Sequence, residues 1–340
     1  MQSSEPRARI VVNDGARVFF AEPGLPLLFA LMGQRIFIPS ACGGRASCGQ
    51  CRVWVLSGAD GYAKEELPLI SENDRGRGIH LACQLRVHGE VRIEIPETHL
   101  RARQYRTRVA SFQDLAHDMR EVVLQLLDPA EMSFTAGQYI QFLLPGTESA
   151  SQPVYRAYSI ASAPASPGRL TLVFGKLPGG ACSSYVFQRL RVGDAVTVNG
   201  PFGDFHLRDS DKDILFIAGG SGMAPVRSIL LDVAQNRSAR TMTFFFAARA
   251  VRDLFYHEKL RALAKDLPGF RFVPVLSHPG PDDAWEGKKG GIAAALGRLL
   301  PPLLHHEAYL CGSPGMIDAC INALRTRGLR EERIFYDKFS

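Results

Sequence analysis

The stretch CGGRASCGQC, Cys42–Cys51, holds three of the chain's seven cysteines within ten residues. Gly43, Gly44 and Gly49 are set between them. Oxidisable thiols crowded into a glycine-rich loop serve either disulfides or a metal or redox centre. The chain starts MQSSEPRARIVV, without the apolar core of a secretory signal, so a cytoplasmic location is expected. In that compartment disulfides are rare, and clustered cysteines bind metal or do redox work.

Outward from the loop, the pattern divides the 340 residues into three parts. Over residues 1–100, ARIVVN, Asp14-Gly15 and RVFFA read as a hairpin, and GLPLLFALMG reads as a helix with Pro26 in its first turn. CRVWVLSG leaves the cysteine loop as a strand, and VRIEIP closes the part. Over 101–209, REVVLQLL, GQYIQFLL, RLTLVFGKL and DAVTVNGPFG alternate with Gly/Pro turns, which predicts a small antiparallel barrel. Over 210–340, apolar runs such as DILFIAGG and TMTFFFAAR alternate with helical segments such as APVRSILLDVAQN, which predicts a parallel α/β sheet. The arginines of RARQYRTR, residues 101–108, are read as a solvated interdomain linker.

At 46% hydrophobic and 22% charged residues the composition is that of an ordinary globular protein. The net charge of +6 comes with no zinc finger and no basic stripe interleaved with aromatics, so nucleic acid is not an expected partner. No apolar run reaches the 18 or more residues of a membrane span. A monomer is expected.

Cys42, Cys48 and Cys51 are spaced C-x5-C-x2-C, and Cys83 follows in IHLACQLRV. Four thiolates permit tetrahedral zinc or an iron–sulfur cluster. Structural zinc sites pair two tight knuckles. One loop with three ligands and a distant strand with the fourth is closer to a [2Fe–2S] centre. The loop glycines let the backbone wrap a sulfide cage and aim N–H groups at it.

With those motifs, residues 1–100 resemble the plant-type ferredoxins, whose first gap is four residues rather than five. IPSACGGRASCGQCRV is similar to the flavin subunit of the sodium-pumping NADH:quinone reductases. The remainder resembles the ferredoxin–NADP reductase superfamily. The resemblance implies a β-grasp [2Fe–2S] ferredoxin domain over 1–100, a six-stranded antiparallel FAD-binding barrel over 101–209 and a parallel-sheet NAD-binding domain over 210–340. It also implies ligation of the cluster by Cys42, Cys48, Cys51 and Cys83.

RAYSIAS offers an arginine fork for a phosphate at Arg156, an aromatic face at Tyr158 and a hydroxyl at Ser159. Alternation along a strand puts Arg156 and Tyr158 on one face. In the superfamily that RAYS resembles, the Arg meets the flavin nucleotide phosphates, the Tyr packs on the isoalloxazine and the Ser hydrogen-bonds near its reactive nitrogen. Ala157, between them, belongs to the same implied FAD site. In PGGACSSYV, Gly180 and Ser183 open a helix whose free N–H groups suit a pyrophosphate, with Cys182 read as packing.

FIAGGSGMAPVRS follows an apolar strand and opens a helix. There Gly219, Gly220 and Gly222 permit close approach of a dinucleotide pyrophosphate, although the pattern is not G-x-G-x-x-G. It is similar to the nicotinamide-side loop of the superfamily, as Cys311 and Gly312 of YLCGSPGM are to its Cys-Gly pair; Ser313 stands where the family has proline. In the C-terminal IFYDKFS, Phe339 matches the aromatic that covers the flavin, with Tyr336 second. The resemblance thus gives catalytic roles to Ser159, Cys311 and Phe339.

NADH yields a hydride, whereas a [2Fe–2S] cluster takes one electron, so a flavin is needed between them. The expected order is NADH, FAD, cluster, then an external acceptor: the terminal oxygenase of a multicomponent mono- or dioxygenase, or its ferredoxin. The first alternative is a soluble homologue of the membrane quinone reductase's flavin subunit. Against it stands that subunit's N-terminal membrane helix, since this chain begins directly with a ferredoxin-type strand. The second alternative is a redox sensor, which needs neither flavin nor nicotinamide motif.

Overall fold

The computed structural model describes residues 6–236 and 240–339. They fall into two compact units. One comprises residues up to Thr107 with Tyr139–Tyr158 and Ala195–Gly203; the other comprises Arg108–Gln138, Ser159–Asp194 and Asp204 onward.

In the first unit, β1 (Ala8–Val12) and β2 (Arg17–Ala21) form the expected antiparallel hairpin. α1 (Leu27–Gly33) starts directly after Pro26, and six of its seven residues are buried. β3 (Arg52–Ser57), α2 (Glu72–Gly76), β4 (Ile79–Leu81) and β5 (Glu90–Glu94) follow. The sheet order is β2-β1-β5-β3-β4, with β1 and β5 parallel. Ile10, Val12, Leu27, Leu31, Val53, Val91 and Ile93 fill the core beneath the helix. This is the β-grasp that the sequence implies.

The next sheet is built from β6 (Arg103–Ala116), β7 (Met119–Asp128), β8 (Tyr139–Leu143), β9 (Tyr155–Ser159), β10 (Arg169–Gly175) and β11 (Ala195–Phe202). α3 (Ala181–Gln188) lies between β10 and β11 in the chain. β8, β9, β11 and the start of β6 belong to the first unit; β7, β10 and the rest of β6 belong to the second. All six antiparallel strands are present, in the order β10-β7-β6-β11-β8-β9. That order is open. No strand ladder closes it into a barrel among the described residues, although an isolated bridge joins Ile160, just after β9, to Leu172 in β10.

The arginine-rich stretch corrects the sequence reading. Arg103–Ala116 is a 14-residue strand, not a linker. Tyr105, Thr107 and Val109 are buried at every second position, and Arg106 and Arg108 occupy the exposed positions between them. Long charged side chains on the outward face hide a period of two that the inward residues carry.

The rest of the second unit is a six-stranded parallel sheet of order β15-β14-β13-β12-β16-β17. Its strands are β12 (Asp213–Gly219), β13 (Met242–Ala248), β14 (Phe270–Leu276), β15 (Lys288–Lys289), β16 (His306–Gly312) and β17 (Ile334–Lys338). The helices α4 (Met223–Gln235), α5 (His257–Asp266), α6 (Ile292–Leu299) and α7 (Pro314–Thr326) connect them. Phe216, Phe244, Phe246 and Tyr309 are buried on one face, and Ile217, Phe245 and Leu310 on the other, in one core with Ile317 of the last helix. Burial on both faces explains the continuous apolar runs. Strand order reverses between β12 and β16, where an open parallel sheet leaves a crevice at its strand C-termini. Among the described residues no helix is long and apolar enough to cross a membrane.

Candidate cluster, flavin and nicotinamide sites

The cysteine loop turns through Gly43 at φ +69°, Gly44 at +84°, Ala46 at +52° and Gly49 at +65°. Space as well as backbone conformation demands glycine at 43, where a Cβ would lie 2.5 Å from the Tyr155 carbonyl oxygen. Arg45 Nε donates to the Cys42 carbonyl at 3.0 Å, and Arg52 Nε to the Gly49 carbonyl at 3.1 Å, so two guanidinium groups brace the turn. Gln50 Oε1 accepts from Ala41 N–H and from Tyr139 Oη, at 3.2 and 3.0 Å.

The four thiols meet as two pairs. Cys42 and Cys48 have their sulfurs 3.4 Å apart. Cys51 and Cys83 are brought together by the ladder that pairs Arg52 with Leu81, and by Ala82 N–H donating to the Cys51 carbonyl at 2.8 Å. Cys48 donates its S–H to Cys42, and with backbone N–H groups of Ser47, Cys48 and Arg45 this pulls the Cys42 thiol down to about 4 against its burial. In the other pair Cys51 and the Gln84 amide lower Cys83 to about 7, again against burial. Among the described residues no three His, Cys, Asp or Glu side chains converge as they would for a single metal ion. Two thiol pairs ringed by N–H donors suit a two-iron cluster, in which each iron takes two thiolates, better than one tetrahedral zinc.

Arg156, Ala157 and Tyr158 are half-buried along β9, and Ser159 is 5% exposed at its end. Arg156 Nη1 donates to the Tyr155 carbonyl at 2.6 Å, and Tyr158 meets Phe142 edge-on at 6.0 Å between ring centroids. Gly180 is the residue before α3. The Ser183 hydroxyl is engaged in the turn itself, donating to the carbonyls of Leu177 and Gly180 at 3.1 and 3.2 Å. It fixes the approach to the helix, a role that the motif alone did not reveal.

β12 ends at Gly219, and β16, its neighbour across the strand-order reversal, ends at Gly312. Gly220 has φ +54° and Gly312 +154°. A Cβ on Gly222 would lie 2.2 Å from the Cys311 carbonyl oxygen, and on Gly219 or Gly312 it would meet the Met316 side chain at 2.8 or 2.6 Å. Met316, which sequence reasoning missed, is thus the side chain around which both glycine loops close. The Cys311 thiol is fully buried, and burial with the neighbouring Asp337 pushes it well up. Burial raises the Asp337 carboxyl to about 6. Phe339 donates its backbone N–H to the Gly312 carbonyl at 2.9 Å, which ties the terminal aromatic to this loop. Tyr336 is half-exposed, with Lys338 Nζ 5.2 Å above its ring.

Comparison with known proteins agrees with this layout. Residues 10–88 match the 2Fe–2S iron–sulfur cluster binding domain, 106–207 the oxidoreductase FAD-binding domain and 216–321 the oxidoreductase NAD-binding domain. A subunit of the Na(+)-translocating NADH-quinone reductase of Neisseria gonorrhoeae is 35% identical, with 99% of this chain and 92% of that one covered. The corresponding subunit from Idiomarina loihiensis is also 35% identical, with 97% and 91% covered. Among solved structures, an Amycolatopsis cytochrome P450 reductase superposes with TM-score 0.78 at 31% identity over 98% of both chains. The ferredoxin reductase of a carbazole 1,9a-dioxygenase superposes with TM-score 0.75 at 23% identity over 98% of both, a likeness of fold.

Proposed function

The chain belongs to the family of that Na(+)-translocating NADH-quinone reductase subunit, and we propose that it supplies electrons to the terminal oxygenase, or the ferredoxin, of a multicomponent oxygenase. It is an NADH-dependent oxidoreductase with FAD-binding, NAD-binding and 2Fe–2S domains. When bound, FAD would supply two-electron acceptance with one-electron release, and the cluster one-electron transfer.

The chain's own residues prepare both ends of that traffic. Gly219, Gly220 and Gly222 clear the N-terminus of α4 for the NADH pyrophosphate. Cys311, Gly312 and Phe339 shape the nicotinamide side, where hydride transfer needs the reacting atoms within about 3–3.5 Å. In the first unit Arg156 would take an FAD phosphate and Tyr158 the ring; in the second, the helix after Gly180 would offer N–H groups to a phosphate and Ser159 a hydroxyl. Cys42, Cys48, Cys51 and Cys83 hold the irons.

The observation that carries an outlet through the cluster is the packing of Tyr155 on Gly43. The strand with the flavin residues Arg156 and Tyr158 begins against the cysteine loop, within one compact unit. The oxygenase as acceptor is supported by the whole-chain similarity to the P450 reductase. The test is anaerobic NADH oxidation with a purified oxygenase or its ferredoxin as acceptor, beside a ubiquinone analogue in lipid vesicles. Turnover with the oxygenase partner well above that with quinone supports the reading. The reverse ranking favours a quinone-reductase role, the second reading, for which the 35% identity to the quinone-reductase subunit speaks.

A further inference from the structure

Tyr155 opens β9 and is 0% exposed. Among the described residues its phenol oxygen is buried without a hydrogen-bond partner, and so is the hydroxyl of Ser40, two residues before Cys42. Orphan hydroxyls in a protein interior are uncommon, and each calls for an explanation. The surroundings say what that is. The Ser40 side chain lies beside the phenol, and Cys51, Cys42 and Cys48 are near enough for thiolate charge on them to disfavour a phenolate.

The backbone fixes this placement. A Cβ on Gly43 would lie 2.5 Å from the Tyr155 carbonyl oxygen, and Ala157 N–H donates to the Ala41 carbonyl at 3.4 Å. The first residues of β9 therefore run along 41–43, the segment that carries Cys42. Tyr155 also shares one apolar core with Cys51 and Cys83, so no bulk water competes for its proton.

We propose that Tyr155 is a tuning residue of the electron outlet, its O–H donating into the space framed by Cys42, Cys48 and Cys51 to the sulfur of a two-iron cluster, with Ser40 as a second donor. The inference rests on the cluster reading above. A donor to cluster sulfur favours the reduced, more negative state and so raises the reduction potential. Burial also raises the phenol's own ionisation, so the hydroxyl keeps its proton throughout the working pH range. One strand would then serve both centres, with Arg156 and Tyr158 for the flavin and Tyr155 for the cluster.

The test compares wild-type holoprotein with Tyr155→Phe and with 3,5-difluorotyrosine incorporated at 155. It reads iron per chain, the cluster's midpoint potential and the coupling of exchangeable protons in the reduced cluster's electron-nuclear double resonance spectrum. Tyr155→Phe is expected to retain two irons and lose one exchangeable coupling. Its reduction equilibrium should fall up to about tenfold, or about 59 mV for one electron. Difluorotyrosine, a stronger donor of similar size, is expected to shift the potential the other way, which a purely structural role would not produce. Unchanged potentials in both proteins, or shifts of the same sign, overturn the proposal. If Tyr155→Phe fails to load iron, the difluorotyrosine protein alone decides, an upward shift supporting the proposal and no shift overturning it. Absence of iron from the wild-type protein would instead refute the cluster reading.

Discussion

A Cβ placed on Gly222 would lie 2.2 Å from the carbonyl oxygen of Cys311, and 2.9 Å from the nitrogen of Gly312. The turn that opens α4 and the end of β16 are pressed together backbone to backbone, at the point where the strand order reverses. Neither side has a flexible group that can yield.

Gly222→Ala therefore forces the two nucleotide loops apart, although φ at 222 is an ordinary −60°. Overpacking of this kind costs about 1–3 kcal/mol. The expected result is a lower melting temperature and a loss of kcat/KM for NADH of at least about tenfold, since small misplacements near the reacting atoms are costly. The cluster's visible and paramagnetic spectra should stay intact. Wild-type NADH kinetics in the variant would show that the close approach plays no part in nucleotide binding.

Gly43→Ala tests the other loop. Its φ of +69° lies in the left-handed region, and the added methyl would meet Tyr155 O at 2.5 Å and Arg156 Nη1 at 2.6 Å. The conformational penalty alone is roughly 1–2 kcal/mol. Iron content should fall well below that of the wild type, and FAD retention should weaken because the clash reaches Arg156. Iron and flavin assays on the purified variant check this; full loading of both would contradict it.

Asp337 supplies a pH dependence. Burial raises its carboxyl from 3.8 to about 6 in the folded chain, so the native state keeps a proton that the unfolded chain releases. Stability falls as pH rises between those values, and the burial penalty is fully present above about pH 6. Asp337→Asn removes that penalty. After allowance for solvent screening of a half-buried group, the variant should gain about 1 kcal/mol near pH 7.5, roughly 2–4 °C in melting temperature. The gain should shrink toward zero near pH 4. Melting curves across that range decide, and a constant difference at every pH would exclude Asp337 as the titrating group.

Cofactor preference is expected to be set at the end of β13, where Ala247 and Ala248 precede Arg249. Ala248 brings no hydroxyl of its own to the position before Arg249, and the nearby Asp253 carboxylate is engaged by Ala250 N–H at 3.0 Å. Ala248→Ser is expected to raise kcat/KM for NADPH several-fold, at about one good hydrogen bond's worth, while NADH use changes little. Steady-state assays with both nucleotides measure it; an unaltered ratio would place the discriminating contact elsewhere.

The sequence by itself determined the three parts of the chain and their chemistry. Cysteine spacing, the change from antiparallel to parallel strand patterns and the glycine loops are local properties, carried by neighbouring residues. The strand at Arg103–Ala116 is hidden in the sequence because arginines on its outward face mask the alternation of Tyr105, Thr107 and Val109. Tertiary structure alone decided the rest. Thr107 donates to the Val196 carbonyl 89 residues away, Gln141 donates to the Ile38 carbonyl 103 residues away, and Tyr155 packs on Gly43. Met316 between the glycine loops and the buried Tyr155 hydroxyl, in one core with Cys51 and Cys83, have no local signature. Each is defined by what the folded chain brings near it, and a side chain's neighbours in space are not encoded by its neighbours in sequence.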